Sequence, residues 1–124
     1  MKDPANPVCR TISTLLSRIG DKWTVLVVST LGEGPRRFNE LRREIPSVSQ
    51  RMLTLTLRNL ERDGLVSRKV TPSIPPRVDY DLTELGRSLL KPVNALERWA
   101  LDHVETIHAA HARFDAAQDE AQVA

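Results

Sequence analysis

Ser49, Gln50 and Arg51 open the stretch of this chain best equipped for chemistry, and that chemistry is hydrogen bonding to nucleic-acid bases. A serine ahead of an apolar-periodic run is a good helix N-cap, which puts Gln50 and Arg51 in a first helical turn. An amide side chain there can pair with adenine N6 and N7, and a guanidinium with guanine O6 and N7. Leu53, Leu57 and Leu60 repeat at i, i+4 and i+7 as a buried stripe, leaving Gln50, Arg51, Thr54, Leu55 and Arg58 on or near the outward side. The Ser49 and Gln50 amides at the helix N-terminus also favour a phosphate. The plain alternative for Gln50 and Arg51 is a solvated first turn, and for Arg58 an ion pair with Glu61 or Asp63.

Other reactive side chains are few. Cys9 is the single cysteine, so there is no internal disulfide framework; it is either a redox or electrophile sensor or a small buried apolar residue. His103, His108 and His111 lie in one late segment, and His108 and His111 stand three apart, but no cysteine or clear carboxylate partner completes a metal set. No Ser-His-Asp order, paired carboxylates or Gly-rich phosphate loop is present, so neither an enzyme nor a bound metal or cofactor is expected.

The elements that must hold these side chains can be read from periodicity. Residues 1–9, with two prolines, are expected as an extended arm ahead of a domain over 10–124. Helices are expected over 11–19, 22–31 with Asp21 as N-cap, 38–45 stopped by Pro46, and 50–62 stopped by Gly64. Strands over 65–70 and 77–82, joined through Pro72, Pro75 and Pro76, make a hairpin with Val78, Tyr80 and Leu82 on its buried face. Thr83 then caps a long helix over 83–117, with a kink expected at Pro92. The three-residue link Pro46-Ser47-Val48 suits a helix-turn-helix over 38–62, whose second helix would enter a major groove. The hairpin over 65–82 would be a wing, bringing Arg77 and Lys69 to flanking backbone. Arg36 and Arg37 either hold phosphates or sit in a solvated turn, and Arg68 is either an internal ion-pair partner or a DNA contact. The fold class is therefore α+β, mainly α: a winged helix-turn-helix with a long C-terminal dimerisation helix.

Charge distribution agrees. The 124-residue chain has a net charge of +2, but residues 36–80 alone carry 10 basic and 5 acidic side chains, and residues 81–124 carry 4 and 8. A basic middle suits a polyanion-binding surface, which excludes the acidic end. With no apolar run near the ~20 residues of a membrane span and no apolar signal-like stretch after Met1, the expected location is the cytoplasm.

At these residues the sequence resembles the HxlR-type regulators, relatives of the MarR winged-helix group. The matching stretches are Gly20-Asp21-Lys22-Trp23-Thr24, the run from Gly34 to Arg42, Ser49 to Thr54, Leu57 to Val66, and Pro75 to Gly86. They occur in order and at the family's spacings between Cys9 and Trp99. The resemblance implies a transcriptional regulator of duplex DNA, in a family that is mostly repressors. It implies a homodimer on an inverted-repeat operator, with the first and last helices forming the dimer surface. Ile12, Leu16, Leu96, Trp99, Ala100, His103 and Ile107 are the expected interface. Many members have a cysteine where Cys9 stands, and some are thought to sense through it, so the effector is left open between a small molecule and an oxidant. The chain departs from the family pattern at Leu55, where a polar groove-side residue is common, and at Thr71 and Ser73 in the wing. After Pro92, Val93, Leu96, Ala100, His103, Ile107, Ala110 and Phe114 recur at three- and four-residue steps, a stripe that a protomer this small cannot cover while also filling its own core.

Overall fold

The computed structural model describes residues 5–123 and places seven elements in the order α1 Pro7–Ile19, α2 Lys22–Gly32, α3 Phe38–Glu44, α4 Gln50–Arg62, β1 Val66–Thr71, β2 Arg77–Leu82 and α5 Glu84–Val123. This is the mainly helical α+β winged helix-turn-helix expected from the sequence. The chain divides into two compact units, one ending at Val93 and the other running from Asn94 onward.

The first unit is built around a filled core. Val27, Val28 and Leu31 of α2, Leu41 of α3, and Leu53 and Leu60 of α4 are fully buried. Ile45 and Val48 of the turn, Leu57 of α4, Val66 of β1 and Leu82 of β2 join them, and Trp23, Phe38 and Tyr80 pack half-buried against the cluster. Local chemistry sets the boundaries. Asp21 caps α2 by accepting from the Trp23 and Thr24 amides at 2.8 and 3.3 Å. α3 stops at Glu44, one residue earlier than the pattern suggests, because Ile45 precedes Pro46 and leaves the helical region. Gly64 ends α4 at φ +77°, where the Leu65 amide donates to the Leu60 carbonyl at 2.9 Å.

Two expectations need correction. Residues 1–4 lie outside the described residues, but Pro7, Val8 and Cys9 are helical rather than extended. Asn6 caps the helix by accepting from the Val8 amide at 2.8 Å, and Pro7 sits in the first turn, where its missing N–H costs nothing. The last helix runs to Val123, six residues past the expected end, with Pro92 inside it.

β1 and β2 pair antiparallel from Val66↔Leu82 to Thr71↔Arg77. A third short partner is added by Arg36, whose backbone exchanges hydrogen bonds with Tyr80 at 2.9 and 2.8 Å. The start of α5 is fixed on the turn after α4. Thr83 donates its hydroxyl to the Gly64 carbonyl at 2.6 Å and accepts from the Gly86 amide at 3.1 Å. A Cβ at Gly86 would lie 2.0 Å from the Leu65 carbonyl oxygen, so only glycine permits that approach.

Candidate nucleic-acid interface

α4 divides its side chains cleanly. Leu53, Thr56, Leu57 and Leu60 face the core, with the buried Thr56 hydroxyl satisfied by the Met52 carbonyl at 2.8 Å. Ser49 caps the helix through the Met52 amide at 3.0 Å. Gln50, Arg51, Thr54, Leu55 and Arg58 are exposed, and the Thr54 hydroxyl donates back to the Gln50 carbonyl at 2.8 Å, leaving it as an acceptor.

The exposed face of α4 looks onto the wing across a groove lined by Gln50, Thr54 and Arg58 on one side and Arg68 and Tyr80 on the other. Among the described residues Arg51, Arg58 and Arg68 make no ion pair, and Asp63 is taken by Arg18. Arg58 and Arg68 are exposed, and Glu61 lines the same groove without an ion pair to either. A second cleft, between α3 and the wing, gathers Arg37, Arg43 and Arg77. Lys69 is exposed on β1, in register with Asp79.

The arginines of the wing region are not equivalent. Arg36, grouped with Arg37 by sequence, turns inward. Its Nε donates to Glu44 at 2.7 Å, and its terminal nitrogens reach the Gly34 and Pro35 carbonyls at 2.9 and 3.1 Å and Glu33 at 3.3 Å. The hydrogen bond to Glu44 raises its pKa further above an already high value. It is a strut between the turn and α3, not a hand held out to a ligand. Arg77 is intermediate, half-exposed but held by Asp79 at 3.0 Å. Sequence reasoning passed over Arg43 and left Arg68 undecided. For Arg68 the signal was its register opposite Tyr80; for Arg43 it was a position off the apolar face of α3.

The other expected site residues lie elsewhere. Cys9 is buried at 6 % exposure on α1, with Ile12 half-buried and Leu16 exposed on the same helix face. On α5, Leu96, Trp99, Ala100 and His103 are exposed and Ile107 is half-buried. Val93, the first residue of the expected stripe, is instead buried in the winged unit. The His103 ring stacks on Trp99 at 4.7 Å with Nδ1 2.7 Å from the Trp99 carbonyl oxygen, a bond within its own helix. The described residues contain no group of three or more potential metal ligands, and no helix long and apolar enough to cross a membrane.

An exposed helix N-terminus carrying an amide and a guanidinium, flanked by two basic clefts, is an arrangement for gripping a polyanion and touching base edges. Comparison with known proteins agrees. The family model described as HxlR-like helix-turn-helix matches residues 18–108. The HTH-type transcriptional regulator YdeP of Bacillus subtilis is 41 % identical over 107 residues, covering 84 % of each chain. The redox regulator HypR in its reduced form is 41 % identical with a TM-score of 0.73, covering 80 % of this chain and 98 % of that one, and it is also solved in an oxidized form. The reduced form of the transcriptional regulator YodB from B. subtilis is 37 % identical with a TM-score of 0.66, covering 73 % of this chain and 88 % of that one.

Proposed function

The chain belongs to the HxlR-like helix-turn-helix family, DNA-binding transcriptional regulators rather than enzymes, and on that footing we propose that it reads duplex DNA sequence-specifically as a homodimer on an inverted-repeat operator. The observation that carries this reading is the division of α4 into a buried leucine face and an exposed face whose arginines have no carboxylate partner. Gln50 and Arg51 meet base edges in the major groove, with Ser49 and Thr54 beside them. Arg58 and Arg68 hold one strand's phosphates across their groove. Arg37, Arg43, Arg77 and Lys69 hold the flanking backbone.

The dimer is formed by α1 and α5 through Ile12, Leu16, Leu96, Trp99, Ala100, His103 and Ile107. A two-fold axis there sets the two copies of α4 about one DNA turn, ~34–36 Å, apart. The protein acts in the cytoplasm as a repressor, since most of the family it resembles are repressors. The test is footprinting on the DNA flanking its own gene. Two protected half-sites one turn apart are expected, with affinity falling about 10³-fold or more between 50 and 200 mM salt. Absence of protection, or affinity indifferent to salt, defeats the reading.

A second reading is favoured by one relative, since HypR is named a redox regulator and solved in both redox states. Cys9 is the thiol available for such a response. A peroxide takes two electrons from the Cys9 thiolate and leaves a sulfenic acid and water. A second thiol, from the other protomer or a small molecule, then forms a disulfide and releases another water. Burial protects Cys9, so the response requires α1 to shift. Peroxide should change DNA binding by the wild type and not by Cys9→Ser. An unchanged binding curve after confirmed Cys9 modification reduces Cys9 to packing.

A further inference from the structure

The winged unit carries a polar hollow that the proposed DNA contacts do not use. Arg10, Leu15 and Arg18 of α1 face Arg62 and Asp63, at the end of α4, across an open groove of about 570 Å³. That volume falls within the range of small-molecule sites, roughly 300–1,000 Å³. The groove lies on the far side of α1 from Cys9. Residues 7, 10, 14 and 18 recur every three or four positions on one face, whereas Cys9, Ile12 and Leu16 mark the opposite one. A dimer built on the Cys9 face therefore leaves the groove open.

Its chemistry is selective. The groove has three guanidiniums and one carboxylate, and that carboxylate, Asp63, is taken by Arg18. Arg10 and Arg62 have no carboxylate partner among the described residues. The hydroxyls of Thr11 and Thr14 donate to the Pro7 and Arg10 carbonyls at 3.1 and 2.9 Å, so their hydrogens are spent inside the helix. The donors left for a ligand are arginines, which suit a head group made only of acceptors. Pro7 and Leu15 supply an apolar wall beside them.

We propose that this groove binds a small organic oxyanion, a carboxylate or phosphate monoester on an apolar body, held by Arg10 and Arg62 with Arg18 as the third donor. The bound anion competes with Asp63 for Arg18. Asp63 is the C-cap of α4, directly before the left-handed Gly64 that leads into the wing, so the ligand acts on the end of the recognition helix. That consequence rests on the DNA-binding reading, but occupancy of the groove does not, and the experiment is therefore done without DNA.

Calorimetry at fixed ionic strength uses benzoate and phenyl phosphate as probes, with benzyl alcohol as the neutral control. At least one anion should bind at one site per chain and the alcohol should not; whichever anion binds tighter names the head group. Arg10→Ala with Arg62→Ala should weaken binding at least tenfold while leaving the circular-dichroism melt intact, since both side chains lie outside the core. Asp63→Asn should tighten it severalfold by removing the internal competitor, an effect that general loss of structure cannot mimic. Equal binding to wild type and the double variant overturns the proposal, as does equal binding of the alcohol or no anion binding at millimolar concentration. Binding that emerges only after Asp115→Asn, Asp119→Asn and Glu120→Gln assigns the groove to a second copy's acidic helix end and overturns it too.

Discussion

The two compact units differ in what they leave unsatisfied. Up to Val93 the chain has a filled apolar core, and although single apolar side chains such as Leu16, Leu55 and Ile74 stay exposed, its outward face also carries the unpaired positive charge of α4, β1 and α3. From Asn94 onward no such core is present among the described residues: Leu96, Trp99, Leu101, Val104 and Phe114 are all exposed, at 43–71 %, on a segment with six acidic and two basic side chains. A folded unit with spare cations needs an anion. A helix with spare apolar surface needs another apolar surface, because each exposed large side chain forgoes about 1.5–3 kcal/mol of transfer free energy. The contrast gives the two units the two halves of the proposed function, one gripping DNA and the other pairing protomers.

The most severe way to break that division is to charge the stripe. Leu96→Glu with Ile107→Glu should turn a micromolar dimer into a monomer by light scattering. Operator affinity should fall by two orders of magnitude or more, since each half-site then binds alone. A dimer persisting in that double variant would remove α5 from the interface. A gentler pair separates the units by where stability is lost. Leu41→Ala, at a site with 0 % exposure, should cost about 2–5 kcal/mol in chemical denaturation. Leu96→Ala should leave the unfolding of an isolated protomer nearly unchanged and instead make Tm depend more steeply on protein concentration.

The division also explains what could be read in advance. α4 was legible to the residue because its cap, Ser49, its stop, Gly64, and its leucine stripe agree. α1 was read four residues short, because Pro4 and Pro7 look like breakers in sequence. Only the Asn6 cap shows Pro7 to be an initiator. The end of α5 was read short for the opposite reason. The apolar stripe stops at Phe114, while the helix continues on alanine, glutamine and glutamate, which favour helix without marking a face. Arg36 and Arg37 were indistinguishable by type. What separates them is the backbone bridge to Tyr80 and a carboxylate eight residues away, both tertiary facts. Arg68 became a site residue only once strand register placed it across from Arg58's groove.

Within the winged unit the free cations should rank by what already holds them. Arg51→Ala, losing a bidentate base contact, should cost about 1–3 kcal/mol of operator affinity and relax discrimination at one base pair. Arg58→Ala and Arg68→Ala should weaken binding to all sequences alike and each reduce the salt slope by about one, as phosphate contacts do. A base preference lost on the Arg68 change would move the wing from positioning into direct readout.

The smallest effect is expected at Arg77, and its sign can be reversed. Its Nε sits 3.0 and 3.3 Å from the two Asp79 carboxylate oxygens, and its side chain is only half-exposed. Asp79 also lies opposite Lys69 in the ladder, so one carboxylate tempers both wing cations. A phosphate arriving at the wing must compete with Asp79 and meet its negative charge, so the net gain from Arg77 is small. Arg77→Ala removes a cation but leaves Asp79 beside the DNA, and affinity should fall less than for Arg68→Ala. Asp79→Asn keeps the shape of the pair, removes the competing charge and releases Arg77 and Lys69 together. Affinity should then rise, most at low salt, without a change in sequence preference. Titrations of the two variants at 50 and 200 mM salt decide the matter. If Asp79→Asn weakens binding, the Asp79–Arg77 pair holds the wing in its binding shape, and the spare charge of the winged unit is smaller than the count of its arginines suggests.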